Sequence, residues 1–167
     1  MSVVVSDTSP LHYLILCGAE TALPRLFSQV VIPPTVFREL QQPNTPPLVR
    51  QWANSLPAWA AVQAPKTMNL SLDVDAGELE AICLAREIKA DAVLMDDRAG
   101  RNAAIHCGLA VIGTIGLLEQ AAARGLIELP AAMERLRQTN ARVSSELIQA
   151  ALERDTARKQ ARPAGSS

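Results

Sequence analysis

Five carboxylates fall where the sequence pattern ends a strand or runs into a helix. They are Asp7, closing SVVVSD; Glu39, in PPTVFREL; Glu78, in DAGELEAICLA; and Asp96 and Asp97, which end AVLMDD. Their donor atoms are all oxygen, and clusters of hard oxygen ligands suit Mg2+ or Mn2+. Zinc chemistry lacks its residues, because His12 and His106 stand apart and no C-x-x-C occurs. A phosphate-cradling glycine loop is missing too: there is no G-x-x-x-x-G-K-[ST], and GTIG does not complete G-x-G-x-x-G. No G-x-S-x-G elbow offers a serine nucleophile.

Each acid also has a local explanation. After Asp7 comes TSPL, where Ser9 can cap a helix and Pro10 can occupy its first turn, so Asp7 would simply favour the positive end of the helix dipole. Asp96 and Asp97 precede RAGRNAAIHCG and can cap that helix. One cap needs one aspartate, however, and two adjacent carboxylates at the mouth of a sheet repel unless a cation or an arginine compensates them. Along the helix from Ala76, about 100° per residue places Glu80 and Glu87 on one wet face and Glu78 nearly opposite, beside Ile82 and Ala85. An inward acid needs a partner. The competing reading of DAGE is a capping box between Asp75 and Glu78, and one carboxylate cannot fully serve both roles. Glu39 lies beside Val36 and Leu40 on the flank of an apolar stripe, where acids are usually solvated. Arg98 and Arg101 follow the doubled aspartate and could clamp phosphates; the alternatives are ion pairing with the same acids or plain exposure.

Short β-branched runs must position these groups. SVVVSD, VVIP, WAAVQ, AVLMDD and AVIG alternate with helical patterns starting at Pro34, Ala76 and Arg98, the signature of an α/β fold with a mostly parallel central sheet. The unbroken apolar character of VVV, VVI and AVLM fits strands covered on both faces, a three-layer sandwich. In such sheets the ligand crevice lies beyond the carboxyl ends of the strands, where Asp7 and Asp96 fall. QQPNTPP reads as a turn-rich connector between two helices, Gly125 as a helix stop and Pro130 as the opening of the next helix. A last helix over roughly 144–160 carries Leu147, Ile148, Ala151 and Leu152 at helical spacing; packing on its own core is the expectation, and docking on another chain the alternative. Residues 1–160 are expected to form one domain, with 161–167 a disordered tail.

The totals narrow the function classes. With 167 residues, 49% of them hydrophobic and 20% charged, the chain can bury a substantial core. Aromatic residues make up 3%, which disfavours a single-strand binder built on base stacking, and a net charge of −1 requires any nucleic-acid contact to come from a local patch. Cys17, Cys83 and Cys107 are widely spaced among apolar neighbours and read as reduced, buried thiols. No apolar run approaches the roughly 18 residues of a membrane span, so a soluble, cytoplasmic protein is expected.

Taken in order, SVVVSDTSPL, PTVFREL, DAGELEAICLA and AVLMDDRAGR resemble the PIN-domain nucleases, including VapC-type toxins, over roughly Ser2 to Gly125. The resemblance implies a PIN-like sandwich and a metal-dependent ribonuclease using Mg2+ or Mn2+. It makes Asp7, Glu39, Glu78 and Asp96 the acidic metal cluster, with Asp97 a further candidate and Ser9 or Thr8 a polar accessory. RNA is then the substrate, a small antitoxin-like protein a partner, and a homodimer the assembly. The family often has aspartate in place of Glu78, and a threonine two residues before the late aspartate, where this chain has Leu94; loss of that hydroxyl is expected to leave the site less ordered. The rival class is a catalytically weak PIN-like module that acts by binding a protein partner. A HAD-type phosphatase would want D-x-D where this chain has DTS.

Overall fold

A computed structural model of the chain describes residues 2–68 and 71–161. Five strands, β1 (Val3–Ser6), β2 (Gln29–Ile32), β3 (Ala60–Val62), β4 (Ala92–Leu94) and β5 (Val111–Ile112), form one sheet in the order β3-β2-β1-β4-β5. Every pairing is parallel. Parallel neighbours cannot be joined by hairpins, so helices cross over between them and cover both faces.

The register explains how a run of valines feeds two cores. Val5 pairs with Val31 on one side and Val93 on the other, and these three point to the same face of the sheet. There they pack with Ala81, Ile82 and Ala85 of α5 (Ala76–Glu87) and Ala104 of α6 (Arg98–His106). Their neighbours Val4, Val30 and Leu94 face the opposite layer. That layer holds α1 (Thr8–Leu16), α3 (Pro34–Glu39), α4 (Pro47–Asn54), α7 (Thr114–Ala123), α8 (Leu129–Arg137) and α9 (Ser145–Ala161), while a short α2 (Leu23–Leu26) leads into β2. Val4, Val5 and Val93 are fully buried, each contributing about 1.5–3 kcal/mol relative to exposure.

The helix boundaries follow the sequence signals with one exception. Pro34 and Pro130 occupy first turns, and Gly125 takes a φ of +72° just past α7. At α1 the expected Ser9 cap is not used: the helix begins at Thr8, and Asp7 is the capping residue, without a side-chain cap hydrogen bond. Ser9 and Pro10 instead fall inside the first turn, where a missing proline N–H costs nothing. The stripe of α9 packs on the chain's own core through Ile148 and Ala151, as expected, leaving Leu147 exposed. The tail beyond Ala161 lies outside the described residues. Cys17 and Cys83 are buried as expected, but Cys107 is only half-buried at the end of α6. Burial pushes the Cys17 thiol up to about 11, against the opposing charge of Arg135. Among the described residues no helix is long and apolar enough to cross a membrane.

Candidate active site at the carboxyl end of the sheet

Strand β1 lies at the centre of the sheet, with β2 on one side and β4 on the other, so crossovers leave it in opposite directions and a crevice opens at its carboxyl end. Asp7 stands there. Its N–H donates to the Leu94 carbonyl at 2.9 Å, which ties the exit of β1 to the last residue of β4. Asp7 is buried, and its carboxyl is raised to about 7. Burial is the main cause, opposed by the Thr8 backbone N–H and reinforced by the charges of Asp75, Glu39 and Asp96.

Those neighbours converge. A methyl group on Gly77 would come within 3.3 Å of Glu39 Oε1 and 3.6 Å of both Asp7 Oδ1 and Asp75 Oδ1. Three carboxylates thus meet beside Gly77 at the start of α5, where an added side chain would crowd Glu39 and make ordinary contact with the other two. Glu39 reaches this point from the end of α3, half-buried on its helix flank, and its Oε2 accepts a hydrogen bond from the Thr8 hydroxyl.

Glu78 meets both readings offered for it. The capping box forms: its N–H donates to Asp75 Oδ1 at 2.8 Å, and its Oε2 accepts the Asp75 N–H at 3.2 Å. Yet the side chain is 4% exposed and its carboxyl is raised to about 7, first by burial, then by the charge of Asp75, with the Asp75 backbone N–H opposing and Asp97 and Asp7 adding smaller repulsions. Helix α6 closes over it at a glycine, since a methyl group on Gly100 would sit 2.9 Å from Glu78 Cδ and 2.6 Å from Met95 Sδ. Glu80, expected on the wet face, is half-buried and accepts the Thr35 N–H and hydroxyl at the start of α3.

The doubled aspartate serves two helices. Asp97 is exposed and caps α6, its Oδ2 accepting from Ala99 N–H at 3.1 Å and Gly100 N–H at 3.3 Å. Asp96 turns instead to the start of α7, where the Thr114 N–H donates to Oδ1 and the Thr114 hydroxyl to Oδ2, both at 2.7 Å. The premise that one cap leaves the second aspartate free for a site therefore fails, because two helix starts meet at this corner. The hydroxyl that Leu94 cannot supply comes from Thr114, eighteen residues after Asp96. Thr114 and Asp75 are the two residues that sequence reasoning missed as members of the acidic corner. The DAGE pattern presents Asp75 only as a cap; Thr114 directly follows a strand and glycine at the carboxyl edge, a position that the same crevice rule singles out.

None of Asp7, Glu39, Asp75, Glu78, Asp96 and Asp97 takes part in an ion pair among the described residues. Arg98 and Arg101 therefore do not pair with the acids. Arg98 is exposed, and Arg101 donates through Nη1 to the Met95 carbonyl at 3.1 Å. Ser9, Asp96, Asp97 and both arginines line a cleft of about 990 Å³.

The donor set suits a hard divalent cation: oxygen only, partly buried and, among the described residues, engaged in no ion pair. It is not a ready-made shell. Among the described residues no group of three Asp, Glu, His or Cys side chains is close enough to hold an ion. Hydrogen bonds from Thr8, Asp75 and Thr114 occupy several of the oxygens. Mg2+ tolerates such spacing, since it keeps several waters and binds through one or two carboxylates.

A family model described as a PIN domain, DUF3368, matches residues 3–156. Among solved structures the chain is similar to a PilT N-terminus domain protein, SSO1118, from the hyperthermophilic archaeon Sulfolobus solfataricus P2. The identity is 18% and the TM-score 0.55, over 71% of this chain and 92% of that one. No curated protein matches the sequence.

Proposed function

The chain belongs to the PIN-domain family, generally a nuclease fold, and on that premise we propose that it is a metal-dependent ribonuclease hydrolysing RNA phosphodiester bonds. The observation that carries the reading is the pair of buried carboxyls, Asp7 and Glu78, both raised to about 7 and lying among further acids that form no ion pair among the described residues. A fold that maintains such repulsion gains most from a bound cation.

Asp7, Glu39, Glu78 and Asp96 would hold Mg2+ or Mn2+, while Asp97 stays with α6. The ion, when bound, supplies an activated water at neutral pH and charge neutralisation on the phosphate. The chain's own residues orient and support. Thr114 fixes Asp96 through two hydrogen bonds, Thr8 fixes Glu39, and the Asp75 N–H holds one oxygen of Glu78. Preorganised carboxylates lower the reorganisation needed at the moment of reaction. Ser9, in the cleft wall beside Asp96, is placed to contact the sugar-phosphate backbone.

The test is cleavage of single-stranded RNA by purified protein with Mn2+, with EDTA and with Asp7→Asn. Cleavage that needs the metal and is lost in the variant is expected; RNA left intact by the wild type with Mn2+ overturns the reading and leaves the fold as a partner-binding module. As the toxin of a toxin–antitoxin pair, the wild type would arrest growth on expression, Asp7→Asn would not, and a small antitoxin-like protein would restore growth.

A further inference from the structure

The first turn of α6 carries cations where helices favour anions. Its residues Arg98, Ala99, Gly100 and Arg101 include no acid, and Arg101 is half-buried there, at the positive end of the helix dipole. A half-buried guanidinium at that end needs compensation. Part of it comes from the exit of β4, since Arg101 Nη1 donates to the Met95 carbonyl at 3.1 Å. The rest lies beside Gly113, the residue that joins β5 to α7. Its φ of −91° and ψ of 175° suit any residue, so what glycine offers here is space. A methyl group on Gly113 would come within 2.6 Å of Arg101 Nη1 and 3.1 Å of Asp96 Oδ1. The guanidinium and the carboxylate therefore approach the same point, yet stop short of an ion pair. Neither is loose: Met95 holds the arginine, and Thr114 donates to both oxygens of Asp96 at 2.7 Å.

The geometry points to Arg101 as a positioning residue, a built-in counter-charge that steadies Asp96 in the metal-free protein and weakens the grip of the acidic corner on a divalent cation. The second half rests on the metal reading of the site; the first does not. In the metal-free protein a fixed positive group beside Asp96 offsets the repulsion among neighbouring carboxylates. A cation held by Asp96 would bring a second positive charge to the same carboxylate, and the two would repel. One charge thus helps the corner without metal and opposes it with metal. That reversal of sign separates a counter-charge from a brace. Were Arg101 only a strut between α6 and the Met95 carbonyl, its loss would loosen the corner and weaken metal binding.

The test has two arms, both on the full chain. Calorimetric titration with Mn2+ compares the wild type with Arg101→Gln, Arg101→Lys and, as a control for net charge, the exposed Arg25→Gln on α2. Arg101→Gln should bind Mn2+ several-fold tighter, while Arg101→Lys, which keeps the charge, and Arg25→Gln should stay near the wild type. Low salt widens the difference and high salt narrows it. In the second arm, urea unfolding in EDTA runs a double-mutant cycle of Arg101→Gln with Asp96→Asn. Arg101→Gln should lower the folding equilibrium constant several-fold more when Asp96 is intact than when Asp96→Asn is already present. Mn2+ binding that Arg101→Gln leaves unchanged or weakens, or two substitutions whose effects simply add, overturns the inference. The two proposals fail separately. No Mn2+ binding by any of the proteins defeats the metal reading, and the cycle then still decides whether Arg101 is a counter-charge to Asp96. Mn2+-dependent cleavage together with additive substitutions defeats the role of Arg101 alone.

Discussion

Removing the Asp7 charge should stabilise the metal-free protein, and the effect should grow with pH. In the folded chain the Asp7 carboxyl is raised from 3.8 to about 7. Between these values the folded protein retains a proton that the unfolded chain has released, so stability falls as pH climbs through this window, and the whole penalty is present above it. At about 1.4 kcal/mol per pH unit the penalty is on the order of 4 kcal/mol, a large part of the roughly 5–15 kcal/mol by which domains are typically stable. An asparagine in its place, neutral at every pH and nearly the same shape, removes it. Glu78 shifts in the same direction, and His12, lowered by burial, works the other way, because its proton is held by the unfolded chain at low pH. His12 is common to both proteins and cancels in their difference, while Glu78, which the Asp7 charge helps to raise, loses that small repulsion in the variant and adds to the difference in the same direction. Urea unfolding in EDTA between about pH 5 and pH 8 is the measurement. Asp7→Asn should exceed the wild type by about 1.6 kcal/mol at pH 5 and by about 4 kcal/mol at pH 8, with Mn2+ narrowing the gap by stabilising the wild type alone. Parallel curves for the two proteins at all pH values would falsify the claim that Asp7 is a buried, uncompensated acid.

Two substitutions outside the acids probe what holds them. Thr114→Val keeps the backbone donor to Asp96 but deletes the hydroxyl bond, so it should cost about 1–3 kcal/mol in stability and lower Mn2+-dependent cleavage, while Thr114→Ser restores both; a Val variant with wild-type cleavage would remove Thr114 from the site. Gly100→Ala places a methyl group 2.9 Å from Glu78 Cδ. The carboxyl must move, so cleavage should fall more steeply than the cost of about 1–3 kcal/mol that overpacking brings, read by urea unfolding beside a cleavage assay.

The layers of the fold were legible because they depend on short-range pattern. VVV, VVI and AVLM each carry enough consecutive apolar side chains to be buried on two faces, and the alternation of Val4 with Val5 sorts them between two cores without further information. The wheel that sends Glu78 inward and Glu80 outward rests on the same local geometry, and it holds for Glu78. It misjudges Glu80, because what half-buries that side chain is the start of α3, a neighbour forty-five residues away.

The doubled aspartate that ends AVLMDD carries the same lesson to the site. In the sequence one helix follows it, so one acid looks surplus. In the fold a second helix, α7, starts at the same corner because β5 lies next to β4, and its first residue takes both oxygens of Asp96. That adjacency is set by strand order, which no local window contains. It also changes what Asp96 is for. A carboxylate pinned by a helix start cannot swing to follow an ion, so in a metal site it would be the fixed member of the set. Asp7, lacking a cap bond, and Glu78, held by one long hydrogen bond, are then the members that adjust. On the metal-site reading, such an arrangement would let neighbouring acids stay short of a closed shell until a cation offset their repulsion.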